Sequence, residues 1–189
     1  VKVWGRSATV ENQLKAMMIQ VPLLGLLAVC AASMAKETDD IPAPLRVPAS
    51  EVLTKQAHAV GVQIYQCSAS KDDAARFEWL LKGPEADLFD MAGNKIGRHY
   101  AGPTWEAKDG SKVTGEVVAR TSSLEPNAVA WLLLSAKSSG NGVFSGVRFI
   151  QRLHTAGGAA PADGCNQGAV GREVRMSYTA DYWFYAAKA

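Results

Sequence analysis

The chain has 189 residues, 48% hydrophobic and 20% charged, a length suited to one core and too apolar for a disordered segment. Of its 20 basic and 18 acidic residues, Lys2, Arg6, Lys15 and Glu11 fall within the first 35, so the net charge of +2 belongs to that segment and the rest is neutral. A neutral remainder without a basic run excludes a nucleic-acid partner.

Residues 1–16 contain no initiator Met. They are expected to be an upstream extension, from an over-extended gene start, a cloning scar or a GTG start at Val1. Residues 17–35 read as a signal peptide. Lys15 precedes an apolar run of 15 residues, Val21–Ala35, which matches an export signal and falls short of the ~20 residues that span a bilayer. Ser33 and Ala35 supply the small residues that a signal peptidase reads, and an acidic stretch follows. The chain is therefore expected to be secreted or periplasmic, without a transmembrane span once processed. Lipid anchoring at Cys30 is a minor alternative, since Val29 stands where the lipoprotein motif needs a small residue.

Residues 36–48, with Pro42, Pro44 and Pro48, read as a lead-in linker, and residues 49–189 as a single domain. Two cysteines, Cys67 and Cys165, survive the expected cleavage. In an oxidising compartment they are expected to pair, closing a loop worth roughly 4–5 kcal/mol in the chain-entropy account. A metal pair or a reactive thiol is the alternative, although neither has a His or second Cys at ligand spacing.

Along the domain, period-two patterns dominate. After Gly61, the apolar Val62 and Ile64, with Cys67 as a further candidate, alternate with Gln63, Tyr65 and Gln66, a strand pattern with Val62 and Ile64 on its apolar face. Phe77–Leu81 is a short strand. Ala86–Asp90 and Lys95–Tyr100 flank the turn Ala92-Gly93-Asn94, and Thr104–Ala107 and Lys112–Ala119 flank Asp109-Gly110, both hairpin signals. Trp131–Leu134 is an unbroken apolar run, short enough for a strand buried on both faces. Gly140-Asn141-Gly142 turns the chain toward Val147–His154, Thr155–Arg172 is a glycine-rich loop, and Tyr182–Tyr185 is an aromatic strand. Residues 70–76 and 124–130 are weak helix candidates. Eight to ten short strands predict an all-β, antiparallel β-sandwich or β-barrel domain with one long Gly-rich loop.

Three stretches carry a resemblance: Gly61-Val62-Gln63-Ile64-Tyr65-Gln66-Cys67; His99–Glu106 with Asp109-Gly110-Ser111; and Ile150-Gln151-Arg152 through Gly157-Gly158 to Gly164-Cys165. With Tyr178-Thr179-Ala180-Asp181-Tyr182, they resemble domain-of-unknown-function family 3455, exported bacterial and fungal proteins, over about residues 45–187. His154 stands where the resemblance leads one to expect Asn. Some fungal relatives carry a malate dehydrogenase label, which this sequence does not support. It has no Gly-x-Gly-x-x-Gly after a strand, no alternation of strands with helices and no acidic residue at ribose spacing.

Three residues are candidates for catalysis: His99 as base, with Glu106 or Asp181 as carboxylate. Against this stands the reading of His99 and Trp105 as sheet-edge packing, with Asp109 serving its turn. Trp105, Gln151, Arg152, Tyr178 and Tyr182 are candidates for ligand contact, a carboxylate among phenols and an indole suiting a small polar or glycan-like ligand. Gln151 and Arg152, adjacent on one strand, must face opposite ways. His58, His99 and His154 are too scattered to predict a metal. No Gly-x-Ser-x-Gly elbow exists, although Ser111 or Ser177 could meet a histidine in space. The first expectation is thus an exported domain, not an enzyme, that binds a small molecule, glycan or envelope component without a cofactor. The alternatives are a hydrolase of ester or lactone substrates using His99 and a structural envelope or stress protein.

Overall fold

Period-two patterning closes on itself in the computed structural model, which describes residues 41–188. Eight antiparallel strands run in chain order: β1 (Glu51–Ala69), β2 (Phe77–Phe89), β3 (Lys95–Tyr100), β4 (Thr104–Ala107), β5 (Lys112–Thr121), β6 (Trp131–Ser139), β7 (Val147–Gly157) and β8 (Glu173–Ala187). Each pairs with the next, and β8 returns to β1 from Glu51↔Ala187 to Gln66↔Glu173. Of the two predicted architectures the chain adopts the barrel, whose closure leaves no sheet edge exposed. The export signal and its cleavage site lie outside the described residues.

Some expectations need correction. Residues 70–76 and 124–130 are turns, and the helical segments among the described residues are two 3-10 turns, Ala43–Leu45 and Gln167–Ala169. β1 begins at Glu51, eleven residues before the strand predicted at Val62. Its inward residues there are Ala57 and Ala59, too weakly apolar to create a visible alternation. The glycine-rich loop is shorter than expected because β7 continues to Gly157.

Inward positions fill one core of Leu88, Trp105, Leu134, Phe144, Ile150, Tyr182, Phe184 and smaller neighbours. A second cluster lies on the outer wall, where Ile41 and Leu45 pack on Trp131, Leu133, Leu153, Trp183 and Tyr185. Residues 41–45 therefore cover part of the wall, and burying Leu45 alone stabilises by roughly 2 kcal/mol. That cover explains the two unbroken apolar runs. Leu132 and Leu134 face the interior while Trp131 and Leu133 face the lead-in, and Tyr182–Tyr185 divides the same way. The expected strand buried on both faces is observed.

Elsewhere the outer wall carries ion pairs among scattered exposed aliphatic residues such as Val60 and Val118. Lys95 pairs with Asp87 at 2.7 Å, Arg98 with Glu106 at 2.9 Å, and Arg175 with Glu85. A membrane-spanning barrel instead turns an apolar band outward. No helix among the described residues is long and apolar enough to cross a membrane.

Candidate functional site

The barrel's two ends differ. At one end Phe144, from the β6–β7 turn, enters the interior and meets Phe184 at a ring separation of 4.7 Å. Asp109 fixes this plug. Its carboxylate accepts from the Ser111 hydroxyl at 2.6 Å and from the Val143 N–H at 2.7 Å, while Ser111 Oγ accepts from the Phe144 N–H. These bonds hold the Asp109 carboxyl below its usual range. Asp109 thus serves its turn and also the plug. Ser111 is spent on the same network.

At the other end the interior stays open as a cavity of about 360 Å³, within the range of small-ligand sites. Its walls are Leu132, Leu134, Val117, Pro84 and Pro103, and its deep part holds Gln63, His99, Trp105, Arg152 and Tyr182. His99 lies flat on Trp105, with ring centroids 4.2 Å apart and 10° between planes, and Tyr182 stands edge-on to both. A carbonyl oxygen only accepts, so the 2.8 Å contact with Thr104 O fixes the proton on His99 Nδ1. Burial lowers the His99 pKa to about 3, outweighing that hydrogen bond, and the imidazole is neutral with Nε2 as an acceptor. Burial raises the Tyr178 and Tyr182 hydroxyls, which stay protonated.

The polar groups around this interior are under-used. Gln63 Nε2, Trp105 Nε1 and the Tyr178 and Tyr182 hydroxyls are buried without a short, well-aligned hydrogen bond. Tyr178 faces Gln63 and Tyr182, and Tyr182 faces Arg152, so most of them have only one another as loose partners. A buried polar group left wholly unpaired costs about 1–3 kcal/mol, and such groups are normally well paired. Gln63 was not anticipated. The alternation of Val62 and Ile64 assigned those residues to the buried face, whereas Gln63, Tyr65 and Cys67 point inward. A polar lining inverts the pattern on which periodicity depends, and only β1's place between β2 and β8 reveals it.

The mouth is built from the β3–β4 and β5–β6 connections and the bulge of β2 near Gly83. The β7–β8 loop closes over its flank. Gly158 has φ +82°, and a Cβ there would lie 2.7 Å from Tyr178 Cβ and 3.1 Å from Gln63 Cγ. Its carbonyl accepts from the Tyr65 hydroxyl at 2.7 Å. Farther along, Cys165 is bonded to Cys67 across a Cα separation of 5.3 Å. The predicted disulfide is present and staples the glycine-rich loop to β1.

The expected catalytic group is dispersed. His99 is interior. Glu106 is on the outer wall, where the Tyr100 hydroxyl and Arg98 donate to it and hold its carboxyl below the usual range. Asp181 is also outward and accepts from His58 Nδ1 at 2.7 Å and His154 Nδ1 at 2.9 Å. Burial opposes its ionisation, but these two bonds prevail and its pKa is lowered. The three histidines therefore divide into one inside and two outside. His154 has φ +46°, at an irregularity in β7–β8 pairing. Asn and His both tolerate that conformation better than most residues, which accounts for His at a position where Asn was expected.

Of the expected ligand contacts, Trp105, Arg152 and Tyr182 line the cavity and Tyr178 is buried beside it. Gln151 faces outward as its neighbour's opposite, donating to Leu45 O at 2.6 Å and accepting from the Tyr185 hydroxyl. It fastens the lead-in. A larger depression of about 700 Å³ on the outer wall, around Gly61, Glu85 and Arg175, is shallower and solvent-open.

One protein-family model, described as a protein of unknown function (DUF3455), matches residues 48–186. No curated protein and no solved structure matches the chain.

Proposed function

The chain belongs to the DUF3455 family of proteins of unknown function, and from that premise, which lends it no chemistry, we propose that the barrel binds one small amphipathic molecule in its open end. The observation that carries this reading is the 360 Å³ cavity whose deep part holds buried polar groups lacking well-aligned hydrogen bonds beneath apolar walls. A barrel of eight strands is just wide enough to be filled by side chains or to hold one small ligand. Here Phe144 and Phe184 fill one half and leave the other open.

A ligand's apolar body would displace water from Leu132, Leu134 and Val117, and its polar end would meet Tyr182, Gln63 and His99 Nε2. Pairing those groups recovers free energy that the empty site forgoes. Binding is favoured over hydrolysis by the surroundings of His99: a main-chain carbonyl on one nitrogen, an indole on one face, and the candidate carboxylates on the opposite side of the wall. Export, and residence in an oxidising compartment, are part of the proposal. The apolar run at residues 21–35 and the Cys67–Cys165 bond support them.

The neutral fluorophore 1-aminoanthracene tests the reading. It is expected to brighten and saturate at one molecule per chain. Val117→Trp, which fills the mouth from a partly exposed position, should abolish the signal while the melting temperature is retained. Absence of saturable uptake, or equal uptake by Val117→Trp, would overturn the proposal.

A further inference from the structure

We infer that the ligand is an organic anion, an apolar body ending in a carboxylate, and that Arg152 receives the carboxylate. This rests on the cavity reading above and adds the charge and the receiving group.

Three cations line the cavity, Lys82 and Arg120 at its exposed rim and Arg152 farther in, and its lining contains no Asp or Glu. None of the three forms an ion pair among the described residues, although five other Lys and Arg side chains do. Other described cations are unpaired too, so what sets the cavity apart is that it gathers three of them, one half-buried, with no carboxylate in its lining. A half-buried guanidinium without a carboxylate costs free energy that a protein can remove by placing an acid nearby.

Arg152 is also held in position. Its Nε and Nη2 both donate to the Ala130 carbonyl, at 3.0 and 2.8 Å. That side-on contact uses one edge of the guanidinium and sets its plane. A neutral carbonyl leaves the charge uncompensated, and the other neighbour of the guanidinium, the Tyr182 hydroxyl, is uncharged as well. Two parallel donors on a fixed plane match a carboxylate's two oxygens. The charge is felt through the same chamber, at His99, Tyr178 and Tyr182. Neutral His99 adds no competing positive charge, and the Tyr182 hydroxyl remains a donor. A cationic ligand would meet three like charges, and a neutral one would leave the guanidinium unanswered.

The test is displacement of 1-aminoanthracene by octanoate and 2-naphthoate against their neutral amides, octanamide and 2-naphthamide. Wild-type protein should bind each carboxylate about tenfold or more tightly than its amide. Arg152→Gln, which still carries a donor for Ala130 O, should bring the pair within about twofold while continuing to bind the dye. Lys82→Gln and Arg120→Gln should weaken carboxylate binding less and reduce its sensitivity to salt. Amides binding as tightly as carboxylates in the wild type would overturn the anion and leave the cavity reading standing. So would a carboxylate preference that persists undiminished in Arg152→Gln. If that variant loses the dye, the wild-type comparison and the two rim variants decide the matter. Failure of the wild type to take up the dye or any of the four compounds would overturn both inferences.

Discussion

His99 donates its only ring proton to a main-chain carbonyl and packs against Trp105, and burial lowers its pKa to about 3. In the unfolded chain an imidazole titrates near 6.5. Between those values the unfolded state binds a proton that the native state refuses, so stability rises with pH there and is lost as pH falls below about 6.5. From pH 7 to pH 5 the loss should be about 2 kcal/mol. His99→Gln should lack that component, which urea denaturation at the two pH values measures as a smaller difference for the variant. Asp181 does not obscure the comparison. Its native pKa is lowered, so its contribution is present above the unfolded carboxylate value and lost only as pH falls through the native one. At this scale the sequence disclosed residue types and opposite facings, as for Gln151 and Arg152. It could not disclose that Glu106 and Asp181 look away from His99, because a strand's inner face is defined only once its neighbours are in place.

Among the elements, the two ends of the barrel are built for different purposes, and their substitutions should separate. Phe144→Ala removes the plug from a fully buried position and should cost about 3–5 kcal/mol, with 1-aminoanthracene binding at the far end unchanged. Replacing both Cys67 and Cys165 by Ala opens a loop of 98 residues and should cost about 2–5 kcal/mol. That variant should also bind the dye more weakly, because the loop seated by Gly158 against Gln63 and Tyr178 loses its staple. Urea denaturation and dye titration on both variants check the pair of outcomes. The hairpins at Asp109-Gly110 and Ala92-Gly93-Asn94 were legible from turn chemistry alone. The first half of β1 was not, since its alternation is carried by alanines.

For the whole molecule, closure concentrates the structure in the β1–β8 ladder, which joins residues more than a hundred positions apart and runs nearly the length of both strands. The β5–β6 connection is held differently. Side chains from β7 fasten it, Thr155 to Val129 O and Arg152 to Ala130 O, together with an isolated bridge from Ala128 to Gly158. Amides in the middle of β1 and β8 should exchange with deuterium only through global unfolding, and those of residues 122–130 through local opening at lower free energy. Exchange measured by mass spectrometry distinguishes the two. Since residues 122–130 border the mouth, a bound carboxylate on Arg152 should slow their exchange as well.

Taken alone, the sequence determined the class of structure: alternation and turn residues indicated antiparallel strands, and the two cysteines beyond the expected signal suggested one bridge. These are local quantities, set by backbone preference and by spacing along the chain. Tertiary structure decided that the sheet closes, that Phe144 occupies one end, and that Arg152 stands among buried polar groups, with no carboxylate, at the other. Those outcomes depend on which distant residues share an interior, and an inward-facing Gln63 or Arg152 has the same local pattern as one that faces water.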